Sequence, residues 1–163
     1  IEDAIEILER VREKGFTPTL RIIGREDDPK YFQRIQQLCR ENSSWVHLDG
    51  VLSKDELFGL MSRYRYGINA APGEPSGVAA LEMVKAGCIV FVAGGGGLPE
   101  IMGVPELTYE GVHDAAAKVT AVLSDDALQQ RLLGQLEHSG GKFSTDAFCK
   151  DMQQAVERAF QST

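Results

Sequence analysis

Gly73-Glu74-Pro75-Ser76-Gly77-Val78-Ala79-Ala80-Leu81-Glu82, then Met83-Val84-Lys85-Ala86-Gly87, then Cys88-Ile89-Val90-Phe91-Val92-Ala93: this stretch decides the fold. It reads as a turn, a helix over 76–86, a glycine stop and a strand over 88–93. The strand is apolar throughout, without the alternation of a half-solvated strand, so both its faces must be covered. The helix is almost wholly apolar as well, yet Glu82 stands in its middle. Burying a carboxylate there is costly unless something pairs with it. The partner is either an internal cation, with Lys85 at i,i+3 the nearest, or a ligand. Glu74 stands eight positions earlier, just after another apolar strand.

Working outward, the periodicity predicts helices over 1–14, 29–41 and 112–123, and strands over 20–24, 45–49 and 66–71. Pro29 suits the first position of its helix. Ser53 with Glu56 three residues on reads as a capping box for a helix reaching about residue 64. Past the glycines 94–97 come a helical turn at 98–102 and a short strand at 107–109. A helix over 125–136 capped near Ser124, a loop over 139–142 and a final helix from Thr145 or Asp146 to about 160 complete the chain. Strands alternating with helices at this spacing imply an α/β fold, a doubly wound parallel sheet with helices on both faces. No repeat or linker interrupts residues 1–163, which read as one domain. In such sheets ligands bind beyond the carboxyl ends of the strands. Gly24-Arg25, Gly50-Val51-Leu52, Pro72-Gly73-Glu74 and Gly94 to Gly97 fall at those ends.

The net charge of −7 argues against a nucleic-acid surface. It leaves room for a nucleotide, whose phosphates need only a few donors at a helix N-terminus. Three scattered cysteines, Cys39, Cys88 and Cys149, form neither a disulfide framework nor a zinc motif, and fit a reducing, cytoplasmic setting. His47, His113 and His138 show no ligand spacing, and Ser76 lacks a triad pattern. No signal peptide is evident, and the longest apolar run, 88–93, is too short to span a bilayer.

The order of motifs resembles the C-terminal, nucleotide-sugar-binding lobe of retaining glycosyltransferases of the GT-B architecture, in particular the large group-1 family. Three features carry the resemblance: Glu74-x7-Glu82, the helix exit and strand over 83–92, and Gly95-Gly96-Gly97-Leu98-Pro99-Glu100, similar to the family's Gly-Gly-x-Pro-Glu turn. Upstream, a strand ending Ile-Ile-Gly, a helix, a strand ending Leu-Asp-Gly and Ser-Lys-Asp-Glu-Leu opening a helix follow the same order. Two departures stand out. The family's Glu-x-Phe-Gly is Glu74-Pro75-Ser76-Gly77 here, which removes a phenylalanine behind the sugar pocket; the related bacterial glycogen synthases also carry a small residue at that point. The family's first strand, ending in Gly-Arg, and its lysine loop have no counterpart. That strand lies mid-sheet, so the remaining strands either close up in the order 2-1-3-4-5 or leave a gap.

The resemblance implies the donor-binding half of an enzyme that transfers a sugar from a nucleoside-diphosphate sugar, with the acceptor held by a separate N-terminal lobe. It implies Glu74 as the catalytic carboxylate at the donor sugar and Glu82 as the group gripping both ribose hydroxyls. The backbone N–H groups of Ser76, Gly77 and Val78, opening the helix, would meet sugar or diphosphate oxygens, with Gly77 allowing close approach. Val51 and Leu52 fall where the family contacts the base, and Arg25 lies on the same rim. No metal and no cofactor is implied, and the isolated chain is expected to be inactive. A second reading stays open, a non-catalytic binding or assembly module that keeps the fold. A nucleotide-sugar epimerase is a weaker third, since the glutamate pair disfavours it.

Overall fold

The computed structural model describes residues 1–75, 77–141 and 145–161. Helix α1 spans Glu2–Glu13, β1 Leu20–Ile23, α2 Pro29–Glu41, β2 Val46–Gly50, α3 Lys54–Met61, β3 Tyr66–Asn69, α4 Val78–Lys85 and β4 Ile89–Ala93. Helix α5, Leu98–Met102, and a 3₁₀ turn, Pro105–Leu107, lead to β5, Thr108–Tyr109. Helices α6, Gly111–Leu123, α7, Asp126–Gly141, and α8, Thr145–Gln161, follow.

Local chemistry sets the starts of α2, α3 and α7. Asp28 accepts from the N–H groups of Lys30 and Tyr31 ahead of α2, with Pro29 at the first position. Ser53 and Glu56 exchange both bonds of a capping box at α3. Two expectations change. The residue bonding back into the first turn of α7 is Asp125, whose Oδ1 accepts from Leu128 N–H at 2.9 Å, one position later than Ser124. Helix α7 also runs on through Gly141, where a loop over 139–142 was expected. Glycine lowers helix propensity by about 1 kcal/mol, a bias and not a stop. Position 142 of that expected loop lies outside the described residues.

The α/β, Rossmann-like architecture predicted from sequence is present, and every strand pairing is parallel. The hydrogen bonding is divided, however. Strands β1 and β2 form one ladder, and β3-β4-β5 form another. Among the described residues no ladder joins β1 to β3, so the chain leaves a gap instead of closing up. Two apolar clusters match the two ladders. The larger contains all of β4, with Ile7, Val11, Leu98, Met102, Leu107, Leu132 and Leu136. The smaller joins Leu20 and Ile22 to Ala4, Ile5, Leu8, Ile35, Trp45 and Val46. Helix α1 thus feeds both clusters from successive turns, and Ile68 of β3 packs against both.

Cys88 is buried and donates its S–H toward the carbonyls of Met61 and Tyr64, which makes it a packing residue. On α8, Phe148, Met152, Val156 and Phe160 recur every fourth residue, all exposed, and belong to neither cluster.

Two outcomes test this packing. Ile7 is fully buried, so Ile7→Ala should cost about 2–5 kcal/mol in urea unfolding. Tyr109 is buried, donates its O–H to Asn69 O at 3.3 Å, and burial pushes its phenol up to about 12. The unfolded phenol ionises near 10, so the folded state favours the protonated ring. Its contribution is complete below pH 10 and is lost as pH rises from 10 toward 12. Tyr109→Phe should therefore flatten the alkaline limb of the stability–pH curve.

Candidate functional site

The strand exits are shaped by short polar bonds and glycines. Gly24 N–H donates to Gly50 O at 3.0 Å, tying the exits of β1 and β2 together. Asn69 Oδ1 accepts from Ala71 N–H at 3.0 Å and turns the chain out of β3 toward Glu74. Beyond β4, the glycine loop lies directly against the loop that carries Glu74. A Cβ on Gly96 would stand 2.5 Å from Glu74 O, and one on Gly97 2.7 Å from Pro75 O. Gly96 also has φ +69°. The glycines at 95–97 thus lie as a backbone shelf against the loop that carries Glu74, a role that a motif reading does not reveal.

Gly77 is the left-handed N-cap of α4, with φ +57° and ψ +34°. A Cβ there would meet Leu98 Cδ1 at 2.2 Å. Glycine is therefore required by the interior, where Leu98 of α5 fills the space, a reason the sequence reading did not include. The N–H of Gly77, expected free, donates to Glu74 Oε1 at 3.1 Å. This bond holds the half-buried Glu74 carboxylate at the start of α4. Ser76, expected to offer its N–H, lies outside the described residues. Val78 begins α4 with an exposed side chain, and first-turn N–H groups have no intrahelical acceptor.

Glu82 is half-buried on α4. Among the described residues its carboxylate makes no hydrogen bond and no ion pair, so the pairing with Lys85 does not form. It borders a cavity of about 240 Å³ whose other walls are Lys54, Asp55, Leu57, Phe58 and Met61 of α3. Glu74 is not part of that lining. Lys54 and Phe58 were not foreseen as site residues. The signal for them was the capping box: it fixes the start of α3, and i,i+4 spacing sets a cation and an aromatic ring on one side of that helix.

Of the other expected residues, Leu52 is half-buried and Val51 is 71% exposed, both just ahead of α3. Arg25 is exposed and lies 3.7 Å from Asp27, a solvated pair worth little. A larger groove of about 420 Å³ runs between α1 and α2. Glu2, Glu6, Glu9 and Glu13 line it with Arg10 and Arg34, which pair with Glu6 and Glu2, so its net charge is negative and does not favour an anion. Among the described residues no group of three or more His, Cys, Asp or Glu is gathered as a metal site would need. No helix there is long and apolar enough to cross a membrane.

No family model matches the chain, and no curated protein sequence does. Solved structures do. Sucrose-phosphate synthase from Thermosynechococcus elongatus is 22% identical, with a TM-score of 0.76 over 98% of this chain and 43% of that one. The catalytic domain of cholesterol-α-glucosyltransferase from Helicobacter pylori is 16% identical, with a TM-score of 0.72 over 88% and 89%. Anabaena Alr3699/HepE, solved in complex with UDP, is 15% identical, with a TM-score of 0.76 over 95% and 44%. The chain spans less than half of the sucrose-phosphate synthase and HepE chains it matches. At these identities the likeness is one of fold: this chain has the fold of a lobe of GT-B glycosyltransferases.

Gly77→Ala combines a forced left-handed alanine with the clash on Leu98 and should cost about 1–3 kcal/mol in denaturant unfolding. In Gly77→Ala/Leu98→Ala the costs should be less than additive, since the second change removes what the first collides with.

Proposed function

We propose that this chain is the nucleotide-sugar donor-binding half of a retaining glycosyltransferase, acting with an acceptor-binding lobe in a longer cytoplasmic protein. The observation that carries the reading is Glu82: a half-buried carboxylate without a protein partner among the described residues, at the edge of a cavity, in a fold shared with glycosyltransferases. A carboxylate offers two acceptor oxygens side by side, which suit the vicinal hydroxyls of a ribose. Phe58, half exposed across the cavity, offers a ring face to a base, and Val51 and Leu52, just ahead of α3, contact the base through their backbone. The first N–H groups of α4 meet diphosphate oxygens, helped by the helix dipole. Glu74 accepts from the donor sugar's hydroxyls and stabilises positive charge at the anomeric carbon as the leaving diphosphate departs. Arg25, on its exposed loop, swings toward the diphosphate. The chain's own groups supply this binding without a resident metal or cofactor, and without the acceptor lobe there is no turnover.

The bond between Glu74 and Gly77 N–H favours a second reading, a nucleotide-binding module whose Glu74 has only a structural task. Turnover by the longer protein that is lost in Glu74→Gln, with nucleotide affinity kept, supports the enzyme; unchanged turnover removes Glu74 from the chemistry.

Titration of the ¹⁵N-labelled chain with UDP, GDP and ADP tests the donor site. At least one nucleotide should shift the amides of α4 and of residues 51–58. Glu82→Ala should then raise its Kd about 5–150-fold, the equivalent of losing about 1–3 kcal/mol of charged hydrogen bonding. An unaltered Kd in that variant overturns the ribose assignment.

A further inference from the structure

We propose, resting on the donor-site assignment above, that Lys54 and Asp55 select guanine, so that the donor is a guanosine-diphosphate sugar. The walls of the cavity beside Glu82 divide by chemistry. Leu57, Phe58 and Met61 are apolar, while Lys54, Asp55 and Glu82 carry charge. Lys54 and Asp55 are the first two residues of α3, placed there by the capping box of Ser53 and Glu56. Phe58 follows them at i+4 and i+3, so both charged groups stand one turn from its ring, side by side. Glu56 is not available to a ligand in the same way. Its carboxylate accepts from Ser53 N–H at 2.9 Å and from Ser53 Oγ at 2.6 Å. Among the described residues, the side chains of Lys54 and Asp55 form no ion pair and no hydrogen bond.

Charge decides which part of a nucleotide enters. The lining holds one ammonium and two carboxylates, so its net charge is negative. A diphosphate is repelled there, and a neutral nucleoside is not. With the ribose on Glu82 and the base against Phe58, the edge of the base meets a donor-only group beside an acceptor-only group. Guanine answers both. Its N7 and O6 are adjacent acceptors for an ammonium. Its N1–H and 2-amino group are adjacent donors, which match the two oxygens of a carboxylate. The other bases lack that second pair. Uracil flanks its one N–H with two carbonyl oxygens, and adenine flanks its amino group with two ring nitrogens. Cytosine has a single amino group, next to a ring nitrogen. In each case a lone pair of the base is set against the Asp55 carboxylate.

Calorimetric titration of the chain with GDP, UDP, ADP and CDP tests this. GDP should bind about tenfold or more tighter than the other three. Lys54→Met and Asp55→Asn should each weaken GDP about 5–150-fold, the worth of one paired base contact, and leave UDP little changed. Asp55→Asn should also tighten xanthosine diphosphate, whose C2 oxygen accepts from the asparagine amide where guanine's amino group donates to the acid. That gain cannot come from a variant that fails to fold. Glu82→Ala should weaken every nucleotide alike, because the ribose is common to all of them. Equal affinity for the four, all weakened by Glu82→Ala, overturns the guanine assignment and leaves the donor site standing. Binding of none of them overturns both. A preference for GDP that survives Lys54→Met and Asp55→Asn also overturns the assignment to these two residues.

Discussion

Helix α1 is the element on which the rest depends. Its apolar residues do not form one stripe against one layer. Ile7 and Val11 are buried with β4, α5 and α6, while Ala4, Ile5 and Leu8 are buried with β1 and Ile35 of α2. Among the described residues no backbone ladder joins the two halves of the fold, so non-directional burial on α1, with Ile68 packed against both clusters, does what hydrogen bonds do elsewhere in the sheet. Everything at the rim inherits its position from this arrangement, because the exits of β1 and β2 belong to one half and those of β3, β4 and β5 to the other.

Within the larger half, the site is built by backbone contact. The loop carrying Glu74 rests on Gly96 and Gly97, and the start of α4 rests through Gly77 on Leu98. Those glycines are small because the space where a side chain would begin is already filled. Glu74 is then fixed by the N–H of Gly77. The outcome is one acid tied to a helix start and a second, Glu82, left toward a cavity shared with α3.

Much of this was legible in the chain. The capping box at Ser53 and Glu56, Pro29 after Asp28, and the unbroken apolar run ending at Ala93 each carry a local physical signal, and the corresponding elements start within a residue or two of it, although α3 stops at Met61 and not near residue 64. The sequence is silent where the deciding contact is remote. Gly77 looks in sequence like a residue cleared for a ligand, because nothing local reveals that Leu98, twenty-one positions on, occupies the space. Lys54 and Phe58 were passed over because their relation to Glu82 arises only when α3 and α4 pack side by side. Gly140 and Gly141 carry the local signal of a loop over 139–142, yet the helix's own ladder carries α7 through Gly141.

The sequence by itself determined which segments are helix and strand, that the strands run parallel, and that the unusual glycines and acids gather at strand exits. These follow from periodicity, capping and the apolar strand, which act over a few residues. Only the tertiary structure decided that the strands form two ladders with α1 across them, and that Glu82 turns to α3 and not to Lys85. Both depend on which surfaces meet after the chain folds back on itself, and burial, unlike a cap or a turn, has no fixed spacing along the sequence.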